Sequence, residues 1–265
     1  MSPRDPNAEY RVYTLRHGTR ATMRSDVFLN YASYGQPDGP HVVDYYLWVL
    51  VNDRRCVVID TGFSASAAHR RDRTVLHDPV DMLHDHLGVD AHAVDTVVVT
   101  HCHYDHIGNL ERFPNARVHM AQAEIDFMRS GLLDRLLVGH FTEPSEIEWL
   151  DRLDAEGRLV PVYVEEELVP GVRLIPVGGH TPGQIMVEVD TAAGVVLIAS
   201  DALHFREELD QDMPFISAMN LPDTYRGFDR IRDHLRDRVA HLIAGHDSAA
   251  LDGMVRITDD VGVIG

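Results

Sequence analysis

Thr100-His101-Cys102-His103-Tyr104-Asp105-His106-Ile107-Gly108 packs three imidazoles and one carboxylate closely together, directly after the apolar run Val97-Val98-Val99. Imidazole nitrogen and carboxylate oxygen are the donors that zinc and similar borderline cations favour. Four such donors cannot all reach one ion and still leave it a position open for chemistry. The motif therefore points to two neighbouring ions, each completed from elsewhere in the chain, and to metal-assisted hydrolysis as the chemistry they serve.

Working outward, three more apolar runs end on a candidate ligand. Leu174-Ile175-Pro176-Val177 leads through Gly178-Gly179 to His180. Val195-Val196-Leu197-Ile198-Ala199-Ser200 ends on Asp201, and Leu242-Ile243-Ala244-Gly245 ends on His246. Layered α/β proteins form their sites in the crevice beyond the carboxyl ends of strands, and this pattern places ligands there. Asp60 follows the strand Cys56-Val57-Val58-Ile59 and reads as a residue that orients a ligand, as metal-bound imidazoles require.

The rest of the chain fits an α/β protein. Tyr45 to Val51 and Cys56 to Ile59 read as strands joined by a turn at Asn52-Asp53. Asp78 and Pro79 read as the cap and first residue of a helix with Val80, Leu83 and Leu87 on one face and Gly88 at its end. Asp223 reads as the cap of a helix whose apolar face is Phe228, Ile231 and Leu235. Residues 1–265 are expected to form a single domain, with a mostly helical insertion or lid around 120–159, broken at Gly131, Gly139 and Pro144.

Composition narrows the partners. Lys plus Arg number 24 against 42 Asp plus Glu, a net charge of −18 that repels nucleic acid and anionic membrane surfaces. Cys56 and Cys102 cannot make a disulfide framework, and Cys102, in an extended segment, points away from its neighbours' face. Met1 to Asn7 is polar and lacks the apolar centre of a signal peptide, and no apolar stretch has the length of a membrane span. The expected location is cytoplasmic. Most of the 17 histidines, His69, His77, His84, His86, His92 and His234 among them, read as solvated; His119 and His140 also stay outside the site.

Taken in order, His101-x-His103-x-Asp105-His106, His180, Asp201 and His246 resemble the metallo-β-lactamase superfamily, as does the Asp60-Thr61-Gly62 turn. The resemblance spans roughly Tyr45 to His246 and implies a four-layer αββα sandwich with the site at one edge of two sheets. It assigns His101, His103 and His180 to a first metal, and Asp105, His106 and His246 to a second, with Asp201 bridging. The implied cofactors are two divalent ions, with zinc expected and iron, manganese or cobalt also suited to these donors.

Within the superfamily, size and Asp201-Ala202-Leu203-His204 look most like the N-acyl-homoserine lactonases, the quorum-quenching hydrolases. An acidic residue at Asp201 is unlike the β-lactamase branch. The chain ends soon after His246, without the helical domain with which glyoxalase II binds glutathione, and its acidity disfavours the tRNA-processing branch. The resemblance implies attack of a metal-bridging hydroxide on the carbonyl of a small-molecule lactone or ester, with Asp105 or Asp201 passing the proton. One position departs: the lactonases carry Tyr three residues after the bridging Asp, where this chain has His204, an imidazole able to donate to the oxyanion. His204 and Asp105 are thus the expected catalytic residues. Phe63, Phe205, Phe215 and Met219 are candidates to line an apolar pocket. Dimerisation is implied by the resemblance alone. The alternatives are an ester, thioester or β-lactam hydrolase, a phosphodiesterase, or a non-catalytic binding protein on the same fold.

Overall fold

From Leu47 to Leu50 and again from Val57 to Ile59, consecutive side chains point to opposite faces, and both faces are apolar. A sheet covered on both sides has this pattern. The computed structural model describes residues 8–265, so the polar segment 1–7, read above for a targeting signal, lies outside the described residues. The strands are β1 (Arg11–Met23), β2 (Pro40–Val51), β3 (Cys56–Ile59), β4 (Thr74–Val75), β5 (Thr96–Val98), β6 (Arg117–Ala121) and β7 (Leu159–Val162). They continue with β8 (Glu166–Val169), β9 (Val172–Pro176), β10 (Ile185–Thr191), β11 (Gly194–Ser200), β12 (Val239–Ala244), β13 (Val255–Thr258) and β14 (Val261–Ile264). The helices are α1 (Ala65–Arg70), α2 (Asp81–Leu87), α3 (Tyr104–Ile107), α4 (Gln122–Arg129), α5 (Leu136–Gly139), α6 (Pro144–Ala155), α7 (Arg206–Gln211) and α8 (Leu221–Asp237).

Two sheets result. One runs β13-β14-β1-β2-β3-β5-β6-β7, with β4 paired to β1; the other runs β12-β11-β10-β9-β8. Their facing sides share one core, in which Trp48, Leu50, Val57, Ile59 and Val98 meet Leu174, Ile185, Val187, Val196, Ile198 and Ile243. The opposite faces are covered by helices. Leu47, Val49, Val58, Val97 and Val118 pack against Met82 and Leu83 of α2, Ile125 and Phe127 of α4, and Leu150 and Leu153 of α6. Ile175, Met186, Leu197 and Ala199 pack against Leu209 of α7 and Phe228 and Ile231 of α8. Alternate residues of the same strands thus feed different cores, and the αββα sandwich follows.

One expectation changes. Asn220, not Asp223, caps α8: its side chain accepts from the Asp223 N–H, and Asp223 sits in the first turn. The segment 120–159 supplies α4, α5 and α6, but it connects the adjacent parallel strands β6 and β7. α4 and α6 pack on the outer face of the first sheet. Leu136 and Leu137, between α4 and α6, are exposed. Asp78 does cap its helix, accepting from the N–H groups of Val80 and Asp81, and Gly88 ends it in the left-handed conformation. Among the described residues no helix is long and apolar enough to cross a membrane.

Glu146 of α6 is buried, and its Oε2 has no hydrogen-bond partner. Burial, then the charge of Glu143, push its pKa up from 4.5 to about 8, with Arg71 pulling the other way. The folded chain therefore holds this proton more tightly than the unfolded chain. The stability this provides is complete below pH 4.5 and lost as pH rises through about 8. Glu146→Gln removes that loss, so urea unfolding should show the variant gaining on the parent between pH 5 and pH 9 by on the order of a few kcal/mol. A gap that does not change with pH would contradict this.

Candidate metal centre

Parallel pairing brings strand ends level. Ile59 of β3 is in register with Val98 of β5, and Ser200 of β11 with Ala244 of β12. The residues that follow, Asp60, His101, Asp201 and His246, therefore emerge along one edge, and β9 delivers His180 to the same place. Asp60 and Ser200 hold φ of +60° and +46°, which costs a non-glycine residue on the order of a kcal/mol or more. Both are held by buried hydrogen bonds. The Asp60 carboxylate accepts from the Thr100 N–H and hydroxyl, each at 2.8 Å, and Thr100 Oγ1 lies 2.9 Å from Ser200 Oγ. A main-chain bond from the Ile185 N–H to the Thr100 carbonyl (3.0 Å) ties the two sheets together beside this network.

Seven side chains then converge as two groups. His101, His103, His180 and Asp201 form one, and Asp105, His106 and His246 the other, with ligand atoms inside each group within 4.8 Å of one another. All seven are buried. Asp201 faces both groups. Its Oδ2 lies 3.3 Å from His180 Nε2 and 3.7 Å from His101 Nε2, while its Oδ1 lies 3.1 Å from His246 Nε2 and 3.3 Å from His106 Nε2. Asp105 Oδ2 is 3.7 Å from both His106 Nε2 and His246 Nε2.

The far side of the rings is also engaged. His106 Nδ1 lies 2.7 Å from Asp60 Oδ2, and His246 Nδ1 lies 2.7 Å from the Asp44 carbonyl. With those protons donated outward, the Nε2 atoms present lone pairs to the centre. Glu124, fully buried, accepts from the Cys102 N–H (2.9 Å) and the Gly183 N–H (2.8 Å), pinning the loops that carry His101, His103 and His180. A Cβ on Gly183 would lie 2.3 Å from the Glu124 nitrogen, so that close approach requires glycine. Cys102 itself packs into the outer core, and burial raises its thiol well above the ordinary range.

These residues fit divalent cations. Nε2 of His101, His103 and His106 and Oδ1 of Asp201 are buried without a hydrogen-bond partner, and His180 Nε2 faces His103 Nδ1 at 2.9 Å. Burial holds His101 and His180 well below the usual imidazole range and His103 at about 4, so these rings are neutral, as metal ligands must be. Burial alone would raise Asp201. The imidazoles of His246, His106 and His204 outweigh it and hold the carboxyl ionised. Five imidazoles and the Asp105 carboxylate around the shared Asp201 anion are a donor set that suits divalent cations.

A narrow cavity of about 50 Å³ opens onto both groups. His103, Asp105, His180, Asp201 and His246 line it, together with Tyr45, Tyr104, Phe141 and Phe215 and two arginines, Arg20 and Arg73. The expected pocket aromatics divide: Phe215 is on the cavity wall, Phe63 and Phe205 lie in a buried aromatic cluster, and Met219 is exposed. His119 and His140 are not among the lining residues. Nor is His204, which is buried with its ring stacked 3.8 Å from that of Phe215. Its Nε2 lies 3.1 Å from Asp201 and its Nδ1 3.2 Å from Glu208, both without hydrogen-bond alignment. Tyr45, Arg20 and Arg73 were not anticipated, because they reach the site from β2, β1 and a loop by long-range register; Tyr104 lies within the histidine motif but is no metal donor.

Residues 40–247 match the model of the metallo-β-lactamase superfamily, and the chain belongs to that superfamily. A probable metallo-hydrolase of Mycobacterium tuberculosis is 29% identical over 61% of this chain, which spans about half, 53%, of that relative's length. An N-acyl homoserine lactonase of Bacillus cereus is 23% identical over 76% of this chain and 80% of its own. Among solved structures, a quorum-quenching N-acyl homoserine lactone lactonase superposes with a TM-score of 0.78 at 20% identity, covering 97% of this chain and 99% of that one. AidC, a dizinc quorum-quenching lactonase with N-hexanoyl-L-homoserine as product, superposes with a TM-score of 0.72 at 19% identity, covering 99% and 96%. The fold is shared, and the two groups of donors support divalent metal ions.

Elemental analysis of protein loaded with Zn²⁺ or Mn²⁺ and freed of excess should find about two ions per chain. Asp201→Ala should lower the content below that, and retention of both ions would contradict a bridging carboxylate. Glu124→Ala, which frees both ligand loops, should weaken metal affinity by about 10- to 100-fold in a chelator competition.

Proposed function

We propose that this superfamily member is a dinuclear metal-dependent hydrolase that opens a lactone ring, of an N-acyl-homoserine lactone or a related lactone. The observation that carries the reading is the Asp201 carboxylate, which lies 3.3 Å from His180 of one group and 3.1 Å from His246 of the other on the lining of a narrow cavity. The relatives that carry lactonase names support it. His101, His103 and His180 with Asp201 would hold one ion, and Asp105, His106 and His246 with Asp201 the other. When bound, such ions supply a water of lowered pKa and polarise a carbonyl oxygen.

The chain's own residues do the rest. Asp105 stands on the cavity wall as well as in the second group, where its carboxylate is placed to hold the proton of the attacking water and return it to the ring oxygen as the C–O bond breaks. An oriented chain of donors ends at the same wall: Arg73 Nε–H donates to the Tyr104 hydroxyl at 3.0 Å, and Tyr104 donates to the Tyr45 hydroxyl at 3.5 Å. That direction leaves the Tyr45 proton free for the charge developing on the carbonyl oxygen. Burial, then the charge of Asp105, pushes Tyr45 up to about 12, so it remains a donor at neutral pH. We place the donor role at Tyr45, and His204, 3.1 Å from Asp201, offsets the charge of that carboxylate. Phe141 and Phe215 flank the lactone, and the part of the chain around 130–143 acts as the lid.

Metal-loaded enzyme should form acid from acyl-homoserine lactones or from simple γ- and δ-lactones. It should release no thiol from thioesters and leave nitrocefin unchanged; thiol release without lactone opening would sink the assignment. Tyr45→Phe should lower kcat by about 100-fold or more with metal content intact, the usual cost of losing an oxyanion donor. His204→Phe should cut turnover more than metal content.

A further inference from the structure

Arg20 and Arg73 stand apart from the electrostatic pattern of this protein. Acidic residues outnumber basic ones 42 to 24, and other arginines of the same region are taken up by carboxylates. Arg16 pairs with Asp44 and Asp260, Arg24 with Glu207, and both Arg70 and Arg71 with Glu143. The guanidinium of Arg20, a residue opposite Val43 in the β1–β2 pairing, has no ion pair and no hydrogen bond among the described residues. Arg73 spends Nε on the Tyr104 hydroxyl and Nη1 on the Arg71 carbonyl, and its Nη2 has no acceptor among the described residues. Both arginines nevertheless line a cavity that opens onto the two groups of metal donors. Asp105, which lines it with them, is committed to the second of those groups.

We infer that the substrate carries an anionic substituent, a carboxylate close to the scissile ring, and that Arg20 and Arg73 hold it. This deepens the lactone reading of the preceding subsection and rests on it for the reaction, though not for the binding of the anion. Planar guanidinium forks match a carboxylate and hold it in a fixed orientation. With Arg20 and Arg73 on its lining beside the metal donors, the cavity suits a lactone whose carboxylate lies close to the scissile ring.

The test compares γ-butyrolactone-γ-carboxylate with γ-valerolactone, which replaces that carboxylate by a methyl group. Metal-loaded enzyme should prefer the carboxylate in kcat/KM by about tenfold or more, the usual worth of hydrogen bonds to a charged group. Arg20→Met, which leaves the Arg73–Tyr104–Tyr45 chain in place, should collapse that ratio toward one, and Arg20→Lys should restore part of it. Calorimetry supplies a second readout. The ring-opened dicarboxylate should bind metal-loaded protein more tightly than γ-hydroxyvalerate, and Arg20→Met should erase the difference at unchanged metal content and circular dichroism. If neither lactone opens but the Arg20-dependent difference in binding persists, the lactone reading falls and the anion site stands. If γ-valerolactone opens as readily as the carboxylated lactone, or the two acids bind alike, the anion inference is overturned and the lactone reading survives.

Discussion

Seven buried donor side chains converge on a space in which several of their atoms have no hydrogen-bond partner. Imidazole nitrogens of His101, His103 and His106 and an oxygen of Asp201 end without hydrogen-bond partners at the same edge of the sandwich. A buried polar atom left unpaired costs a few kcal/mol, and an ionised carboxylate costs more. Divalent cations remove that cost and turn it into binding energy, so the occupied centre and the folded edge are thermodynamically one object. Much of the surrounding architecture holds donors in an arrangement that the protein alone would relax.

That holding operates at the strand ends. Within each sheet a parallel register finishes two strand ends level, β3 with β5 and β11 with β12. The hydrogen-bonded Asp60, Thr100 and Ser200 then fix two left-handed residues at those ends. Asp60 also orients His106, so one carboxylate serves the backbone turn and the ligand ring together. Glu124 does the equivalent for two loops from opposite sheets, through the Cys102 and Gly183 N–H groups. Two sheets meeting at a shared core bring the first-sheet motif and the second-sheet ligands within reach, and neither sheet carries a complete centre.

The sequence made the ligands readable because their chemistry and spacing are unusual: four donors in one short loop, and three more each following an apolar run. Strands β3, β5 and β11 were legible for the same reason. The long strand β1 and the terminal pair β13 and β14 were not, since polar residues interrupt them and their identity comes from pairing with distant partners. Asn220 and Asp223 compete for the same cap, and only geometry separates them. Arg20, Tyr45 and Arg73 are ordinary residue types at no diagnostic spacing. For His204, proximity to Asp201 followed from sequence, whereas the Phe215 ring that covers it comes from a later loop.

The central claim is that one carboxylate, Asp201, joins two ions into a single centre. A crystal of metal-loaded protein, with diffraction recorded on both sides of the metal's absorption edge, tests it most directly. The account predicts two anomalous peaks about 3.5–4 Å apart, one among His101, His103 and His180, the other among Asp105, His106 and His246, with the Asp201 carboxylate between them. A single peak, or two peaks that Asp201 does not touch, would contradict it.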